Sequence, residues 1–283
     1  MRIFRLVKAL LVPALLLILL CGCSITQAMR VENREVVDVK TMIDELRGSP
    51  LVFVGERHDA PAHHDLQLDI LKAIKAEGKP VAIGMEMFEE SSQRAIDAWT
   101  AGKVPEEAFR KVFAWNWRNL PWDLYRDLLI YARDNRIPVV ALNAPRDVVA
   151  AVAKRGFASL TPEQLRQLPE GTDASVNDEY LKFMMSFYPM HGRQGDAFRN
   201  IGEAQMLRNK VMARRISDYM KLHPDTVMVV IAGGGHAREN GGVPAELKEL
   251  SYKIVLPPIP GLTSETVTTK DANYLLVEPF FSW

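Results

Sequence analysis

The sequence predicts an α/β fold: a mostly parallel central sheet flanked by helices, with helical cap insertions. Two observations carry this prediction, short apolar runs without polar alternation and segments of helical period between them. Such runs suit strands that are buried on both faces of a parallel sheet. The runs are residues 51–54, 81–88, 138–142, 227–232, 252–256 and 274–277, the last predicted as an edge strand.

The segments between these runs carry apolar residues at helical spacing. Leu66, Ile70 and Ile74 predict a helix that begins near Pro61, because proline is favoured in the first turn. Further helices are predicted over about 124–132, 148–154 and 201–220. Four basic residues of the last helix are predicted to face solvent: Arg208, Lys210, Arg214 and Arg215. Segments 89–135 and 157–222 are too long for simple crossovers, and we interpret them as mainly helical insertions that form a cap.

The amino terminus has the pattern of a secretory signal: three basic residues, then an uncharged apolar stretch of about a dozen residues, shorter than a membrane span. The following Leu20-Cys21-Gly22-Cys23 resembles a bacterial lipobox, with an ordinary signal and a chance cysteine as the alternative. We therefore predict a signal peptide over 1–22, a tether over 23–37 lipidated at Cys23, and one α/β domain over 38–283. Two or more acyl chains anchor a protein stably, and Ser24 is not the residue that marks inner-membrane retention. The predicted location is the bacterial cell envelope, on the outer membrane and facing the periplasm.

Charge and cysteine content exclude several classes of function. Without the three basic residues of the signal, 35 Lys and Arg become 32, against 35 Asp and Glu. This balance lacks the basic footprint of a nucleic-acid-binding protein, so no nucleic-acid partner is expected. Cys21 leaves with the signal and Cys23 is lipidated, so we expect no disulfide, thiol nucleophile or thiolate metal site.

Polar residues stand where the predicted strands end. His58 follows the first run, Arg146 the third and His236 the fourth, while Glu86 lies inside the second. Ligands of an open parallel sheet bind at the carboxyl ends of its strands, so we expect these four side chains to converge. Glu86 is the most informative, because a carboxylate in an apolar strand must be neutralised, paired or bound to a metal.

The chemistry of this cluster has several interpretations. His58, Glu86 and His236 have the donor types of a site for zinc or another divalent metal, although their spacing is not diagnostic. His63 and His64 are adjacent and do not share a helix face, so we expect that they are not both ligands. A purely structural role for these histidines is the alternative. The sequence contains no Gly-x-Ser-x-Gly motif, and residues 233–235 match neither a dinucleotide-binding fingerprint nor a P-loop.

A second candidate site is the aromatic and methionine-rich segment from Tyr180 to Gly192, which includes Tyr188 and His191. Tyrosine and histidine are both axial ligands of haem iron, and a flat apolar macrocycle needs such walls. A helix packed into the core explains the same pattern, and a copper site is weaker because the methionines are irregularly spaced. A separate aromatic patch is consistent with a cap core, a dimer surface or a pocket wall: Trp115, Trp117, Trp122 and Tyr125.

The ordered set of these motifs resembles the ChaN-type haem-binding lipoproteins, of the superfamily that includes Tiki, TraB and the erythromycin esterases. The matching motifs are Val54-Gly-Glu-Arg-His58, Gly84-Met-Glu-Met-Phe88, Asn143-Ala-Pro-Arg146, His191-Gly192, Ala204-Gln205 and Ile231-Ala-Gly-Gly-Gly-His-Ala237. The resemblance implies a periplasm-facing protein of iron acquisition that dimerises around paired haems, with a tyrosine on iron and a histidine assisting. Tyr188 with His191 is the first choice for this role and Tyr180 the second. An outer-membrane haem receptor is an implied partner.

Two hypotheses follow from the sequence. The favoured one is a haem-binding protein that acts as a homodimer. The alternative is a metal-dependent hydrolase in which His58, Glu86 and His236 bind the metal or activate water. In it, Glu56 or Glu89 is the general base and Arg146 stabilises an oxyanion.

Overall fold

The structure is a computed structural model that describes residues 24–187 and 195–278. The strands are β1 Gln27–Arg30, β2 Val36–Asp38, β3 Leu51–Glu56, β4 Val81–Glu89, β5 Val139–Asn143, β6 Val227–Gly233, β7 Lys253–Leu256 and β8 Tyr274–Val277. They form one sheet in the order β2-β1-β8-β7-β3-β6-β4-β5. Neighbours from β8 to β5 are parallel, whereas β1 is antiparallel to β8 and β2. The predicted α/β fold is confirmed.

Helices cover both faces of this sheet. They are α1 Val39–Leu46, α2 Pro61–Lys75, α3 Gln93–Thr100, α4 Glu106–Asn116, α5 Trp122–Asp134, α6 Arg146–Arg155, α7 Pro162–Leu165, α8 Asp178–Phe187, α9 Asp196–Leu222 and α10 Gly234–Ala237. Short 3₁₀ helices occupy Glu90–Ser92, Phe157–Ser159 and Pro244–Glu246. Pro61 opens α2, and the side chain of Asp38 caps α1 by accepting from the Thr41 N–H. Within the described parts of the chain, no helix is long and apolar enough to cross a membrane.

The two faces of the sheet bury separate halves of the core. In β3, Val52 and Val54 face the layer of α1 to α5, whereas Leu51 and Phe53 face α9 and the loops that follow β6. Both faces are covered, so the central strands are apolar at nearly every position. Segment 89–135, which was predicted to be a cap insertion, packs instead as a core layer in which Trp99 is fully buried. Within segment 157–222, α8 covers the ends of the strands.

Two parts of the predicted organisation need correction. The segment predicted as a tether over 23–37 contains β1 and most of β2, and Ala28 and Met29 are buried there. Residues 274–277 form an interior strand between β7 and β1 rather than an edge strand, and β2 is the edge at this end of the sheet. Both errors have one cause. The outer antiparallel strands are short and partly exposed, so their sequence lacks a continuous apolar run.

The strand order positions the functional residues. β3, β6 and β4 are consecutive in the sheet, and Glu56 at the end of β3 is level with Gly233 at the end of β6. A shift of register in β4 between Met85 and Glu89 surrounds Glu86. β5 forms the edge beyond β4, so residues that follow β5 start further from β3 than those that follow β6.

Candidate functional site

The carboxyl ends of β3, β4 and β6 open into a pocket of about 430 Å³, called the main pocket below. This volume is typical of small-molecule sites. Its floor is polar and consists of Glu56, Arg57, His58, Glu86, Gln205, Arg208, Gly233, Gly234, Gly235 and His236. Its roof is apolar and consists of the α8 residues Tyr180, Phe183, Met184 and Phe187. Trp117, Ile259 and Pro260 complete the walls.

Glu56 is the centre of a buried hydrogen-bond network in the floor. Its Oε1 accepts from the Tyr125 hydroxyl and from His58 Nδ1, the latter at 2.6 Å. Its Oε2 accepts from Gln67 Nε2 at 2.6 Å and lies 3.3 Å from His64 Nδ1. Burial raises the pKa of Glu56, but the hydrogen bonds from His58 and His64 outweigh burial and hold this pKa well below its ordinary range. The carboxylate is therefore ionised although it is buried.

His58 is oriented by that carboxylate. Nδ1 donates to Glu56, and the imidazole centre lies 5.0 Å from the ring centre of Trp117. A Cβ at Gly233 would lie 3.0 Å from His58 Nε2, so the glycine leaves room for this nitrogen. Burial lowers the pKa of His58, but the hydrogen bond to Glu56 and the charge of Glu86 raise it, and the net shift is upward. The result is a basic imidazole with a fixed tautomer.

Glu86 is fully buried and is neutralised by Arg208 of α9. Oε1 accepts from Arg208 Nη2, and Oε2 accepts from the Gly233 N–H at 2.7 Å. Burial raises the pKa of Glu86, but the charges of His236, Arg208 and His58 outweigh burial and lower it to about 2. The free-energy cost of burying this carboxylate, which was expected from the sequence, is therefore offset by a buried ion pair.

His236 supplies a neutral imidazole to the same floor. Its Nδ1 donates to Asn209 Oδ1 at 2.5 Å, and Asn209 Nδ2 donates to the Gly241 carbonyl at 2.9 Å, which fixes the amide. Burial lowers the pKa of His236; the charge of Glu86 opposes this and that of Arg208 adds to it, so the pKa falls to about 4. At neutral pH, Nε2 is therefore unprotonated, and it lies 3.7 Å from Glu86 Oε1.

Arg208, and not Arg146, is the guanidinium of this cluster, which corrects two predictions. Arg208 was expected to face solvent, yet its side chain is 14% exposed and its Nε donates to Asn143 Oδ1 at 3.0 Å. Arg146 follows the edge strand β5; its backbone N–H donates to Glu89, and its guanidinium stacks 4.7 Å from the Trp115 ring centre. Arg146 and Glu89 therefore line a neighbouring groove and not the main pocket.

The roof helix is held close to the floor. The ring of Phe187 would lie 3.5 Å from a Cβ at Gly235, so the glycine-rich strand end is in direct reach of the roof. Ser186 Oγ donates to the Pro260 carbonyl at 3.0 Å, which ties α8 to the wall. The main pocket is thus a slot between an aromatic surface and a polar strand edge.

Tyr180 is the predicted haem tyrosine that lies at this slot. It is buried at the start of the roof, lines the main pocket and packs with Met206 of α9. The other predicted haem residues, Tyr188 and His191, lie outside the described residues, as does the lipidation residue Cys23. Their roles stay predictions.

A family model described as haem-binding uptake, Tiki superfamily, ChaN matches residues 42–247. The chain belongs to this family. The match includes β3, β4, β6 and α8, and so the floor and the roof of the main pocket. The resemblance that the motifs predict is confirmed.

Two solved structures align with most of this ChaN-family chain. ChaN of Campylobacter jejuni, a structure described as cofacial haem binding, aligns with a TM-score of 0.71 at 15% identity, over 90% of this chain and 97% of that one. A mutant of the erythromycin esterase EreC in its open conformation aligns with a TM-score of 0.47 at 11% identity, over 89% of this chain and 82% of that one. At 15% identity, the likeness to the Campylobacter protein concerns the fold alone.

A plant protein is also similar in sequence. Protein RETICULATA-RELATED 5, chloroplastic, of Arabidopsis thaliana is 23% identical over 234 residues, which are 74% of this chain and 31% of the plant protein. This chain thus spans about a third of the plant protein's length.

The ChaN-family floor does not fit a divalent metal. Within residues 24–187 and 195–278, no three His, Cys, Asp or Glu side chains are placed to hold a metal ion. The predicted set of His58, Glu86 and His236 lies in one floor, but Glu86 already accepts from Arg208 and from the Gly233 N–H. A divalent ion would have to displace the guanidinium, so we derive no metal-dependent step.

His63 and His64, which follow His58, have separate structural contacts. His63 Nε2 lies 2.7 Å from Glu278 Oε1, and its Nδ1 accepts from the Arg57 backbone N–H at 2.9 Å. His64 contacts Glu56 and the His58 carbonyl instead. The two imidazoles thus have different partners, and the expectation that they are not both ligands stays a prediction.

The four residues of the aromatic patch, whose role the sequence does not decide, have different roles in the structure. Trp122 packs in the core, Trp117 is a wall of the main pocket, and Trp115 is 47% exposed and stacks against the Arg146 guanidinium. Tyr125 donates to Glu56 and belongs to the floor network. Its partner is 69 residues earlier in the chain, so no local pattern could have identified this role.

Proposed function

We propose that the main pocket binds haem. The observation that carries the proposal is the apolar roof of α8 facing oriented imidazoles in a chain of the ChaN family. Phe183 and Phe187 are suited to cover a flat macrocycle. The phenol of Tyr180 is the first candidate for iron within the described residues, and His236 offers an unprotonated nitrogen. When bound, haem would supply an iron centre; the chain holds it and limits access of water.

A haemin titration of the full chain in detergent, followed by Soret absorbance, tests this proposal against a micelle-only blank. We expect saturable binding. Tyr180→Phe is expected to weaken binding about 10-fold and to shift the Soret band, because it removes the phenol oxygen and retains the ring. Tyr131→Phe, a tyrosine on α5 that does not line the main pocket, is the matched control.

The same titration with Tyr188→Phe and His191→Ala decides between the predicted ligands. A shift of the Soret band in these variants, but not in Tyr180→Phe, would assign the iron ligand to Tyr188 or His191 instead of Tyr180. Non-saturating absorbance with the wild-type chain contradicts haem binding altogether.

The proposal extends to location and assembly. Lipidation of Cys23 would place the protein on the periplasmic face of the outer membrane, where haem from an outer-membrane receptor would reach it during iron uptake. Two haems held face to face need two binding faces, which supports a homodimer. An unmodified Cys23 in mass spectra of the mature protein would contradict the anchor. A monomer in sedimentation of the haem-loaded protein would contradict the dimer.

The Glu56–His58 pair favours a second candidate function, hydrolysis in the main pocket. His58 Nε2 would take a proton from water, and the ionised Glu56 would stabilise the imidazolium. The pKa of His58 is raised, so hydrolysis should increase as the pH rises through that pKa. On a panel of esters and peptides, His58→Ala is expected to lower turnover by about 100-fold. A wild-type chain without turnover removes this candidate.

A further inference from the structure

A second cavity of about 490 Å³ adjoins the main pocket. Trp117 and Arg208 line both cavities, so they form a shared wall. We call this cavity the side groove; the residues that matter here are Glu89, Trp117, Arg118, Asn119, Arg146 and Arg208.

The cations of the side groove differ in what they already bind. Arg208 is committed to Glu86, Asn143 and Gln205. Arg146 donates Nη1–H to the Trp115 carbonyl at 2.5 Å, which leaves other donors of its guanidinium unused.

Arg118 is exposed and makes no hydrogen bond or ion pair with any residue in the described ranges. The opposing charge is Glu89, whose Oε2 accepts the Arg146 backbone N–H and whose Oε1 accepts from Ser91. The side groove is therefore lined by two guanidinium groups with unused donors and by one carboxylate.

The main pocket offers a ligand carboxylate the opposite balance of charge. Its floor contains two buried, ionised carboxylates, Glu56 and Glu86, and the guanidinium groups that line it are already paired, Arg208 with Glu86 and Arg57 with Glu278. A ligand carboxylate placed there would meet like charge in a site of low dielectric. The same carboxylate beside Arg118 and Arg146 would meet forked donors, which bind carboxylates in a bidentate manner.

We infer that the side groove binds the carboxylate groups of the ligand that fills the main pocket. The inference rests on the proposed function, under which these groups are the propionates of haem. The macrocycle would lie under α8, and its acidic arms would pass Trp117 towards Arg118 and Arg146. Met87 and Val149 add apolar wall for the methylene part of each arm.

The test compares haemin with haemin dimethyl ester, which retains the macrocycle and iron but has no ionised carboxylates. We expect the full chain in detergent to bind haemin more tightly than the ester. Arg118→Gln combined with Arg146→Gln should weaken haemin binding at least about 10-fold and change ester binding by less than about two-fold. Arg166→Gln, an exposed arginine paired with Glu163, is the matched control.

Each outcome separates the two proposals. Equal loss of both ligands in the double variant, or no loss of haemin, overturns the side groove and leaves haem binding standing. A wild-type chain that binds neither ligand overturns both. Free sodium propionate tests the other source of carboxylate: if the double variant loses only propionate binding and keeps its haemin affinity, the groove takes free acids and the inference is wrong.

Discussion

Replacing Arg208 with methionine is expected to lower the free energy of unfolding by about 3–5 kcal/mol at neutral pH. The variant leaves Glu86, which is fully buried, without its guanidinium. The Gly233 N–H would remain as a hydrogen-bond donor to the carboxylate, but a single neutral donor does not replace a cation. The pKa of Glu86 should rise in the variant, because one of the charges that lower it is gone.

Urea denaturation at neutral pH measures this effect, and the same helix offers a matched control. Arg214→Met removes an arginine of α9 whose side chain is 52% exposed and pairs with Asp218, so we expect a change within about 0.5 kcal/mol. Adding Glu86→Gln to Arg208→Met removes the orphaned charge and should recover part of the loss. If Arg208→Met is as mild as Arg214→Met, Arg208 is not the residue that neutralises Glu86.

The contrast between Arg208 and Arg146 shows how much of the site the sequence predicts. Apolar runs identify the central strands, and residues at their carboxyl ends belong to one edge of the sheet. His58, Glu86 and His236 therefore converge as predicted from pattern alone. No local sequence pattern specifies the order of the strands, and this order determines which other residues reach the main pocket. β5 lies at the edge, so Arg146 reaches the side groove instead of the main pocket.

Long-range contacts account for the residues that sequence reasoning missed. Arg208 and Glu86 are 122 positions apart, and a basic residue at helical spacing has the same pattern whether it faces solvent or a buried carboxylate. The role of Tyr125 is hidden for the same reason. A tyrosine in a core-facing helix has the same sequence pattern whichever partner its hydroxyl binds. Such pairs depend on packing of one element against another, which periodicity does not specify.

Glu56→Gln is expected to cost about 3 kcal/mol at neutral pH and to change how stability depends on pH. The carboxylate accepts from Tyr125, His58 and Gln67, and an amide has one accepting oxygen, so some of these buried donors lose their partner. The folded pKa of Glu56 lies below its ordinary value of 4.5, so the unfolded chain binds the proton first as the pH falls. The stabilisation by Glu56 is therefore complete above about pH 4.5 and is lost progressively below it.

The difference in unfolding free energy between wild type and Glu56→Gln should accordingly shrink as the pH falls below about 4.5. At higher pH, the substitution affects stability through His58, because the hydrogen bond to Glu56 raises the pKa of His58. Protonation of His58 therefore stabilises the folded wild type, and this contribution is lost as the pH rises through the folded pKa. The variant should lose this contribution, and the NMR titration of the His58 ring should move to lower pH. Glu107→Gln, at an exposed carboxylate on α4, should leave the titration unchanged. An unshifted His58 titration in Glu56→Gln, or a free-energy difference independent of pH, would contradict an ionised Glu56 at the centre of the floor.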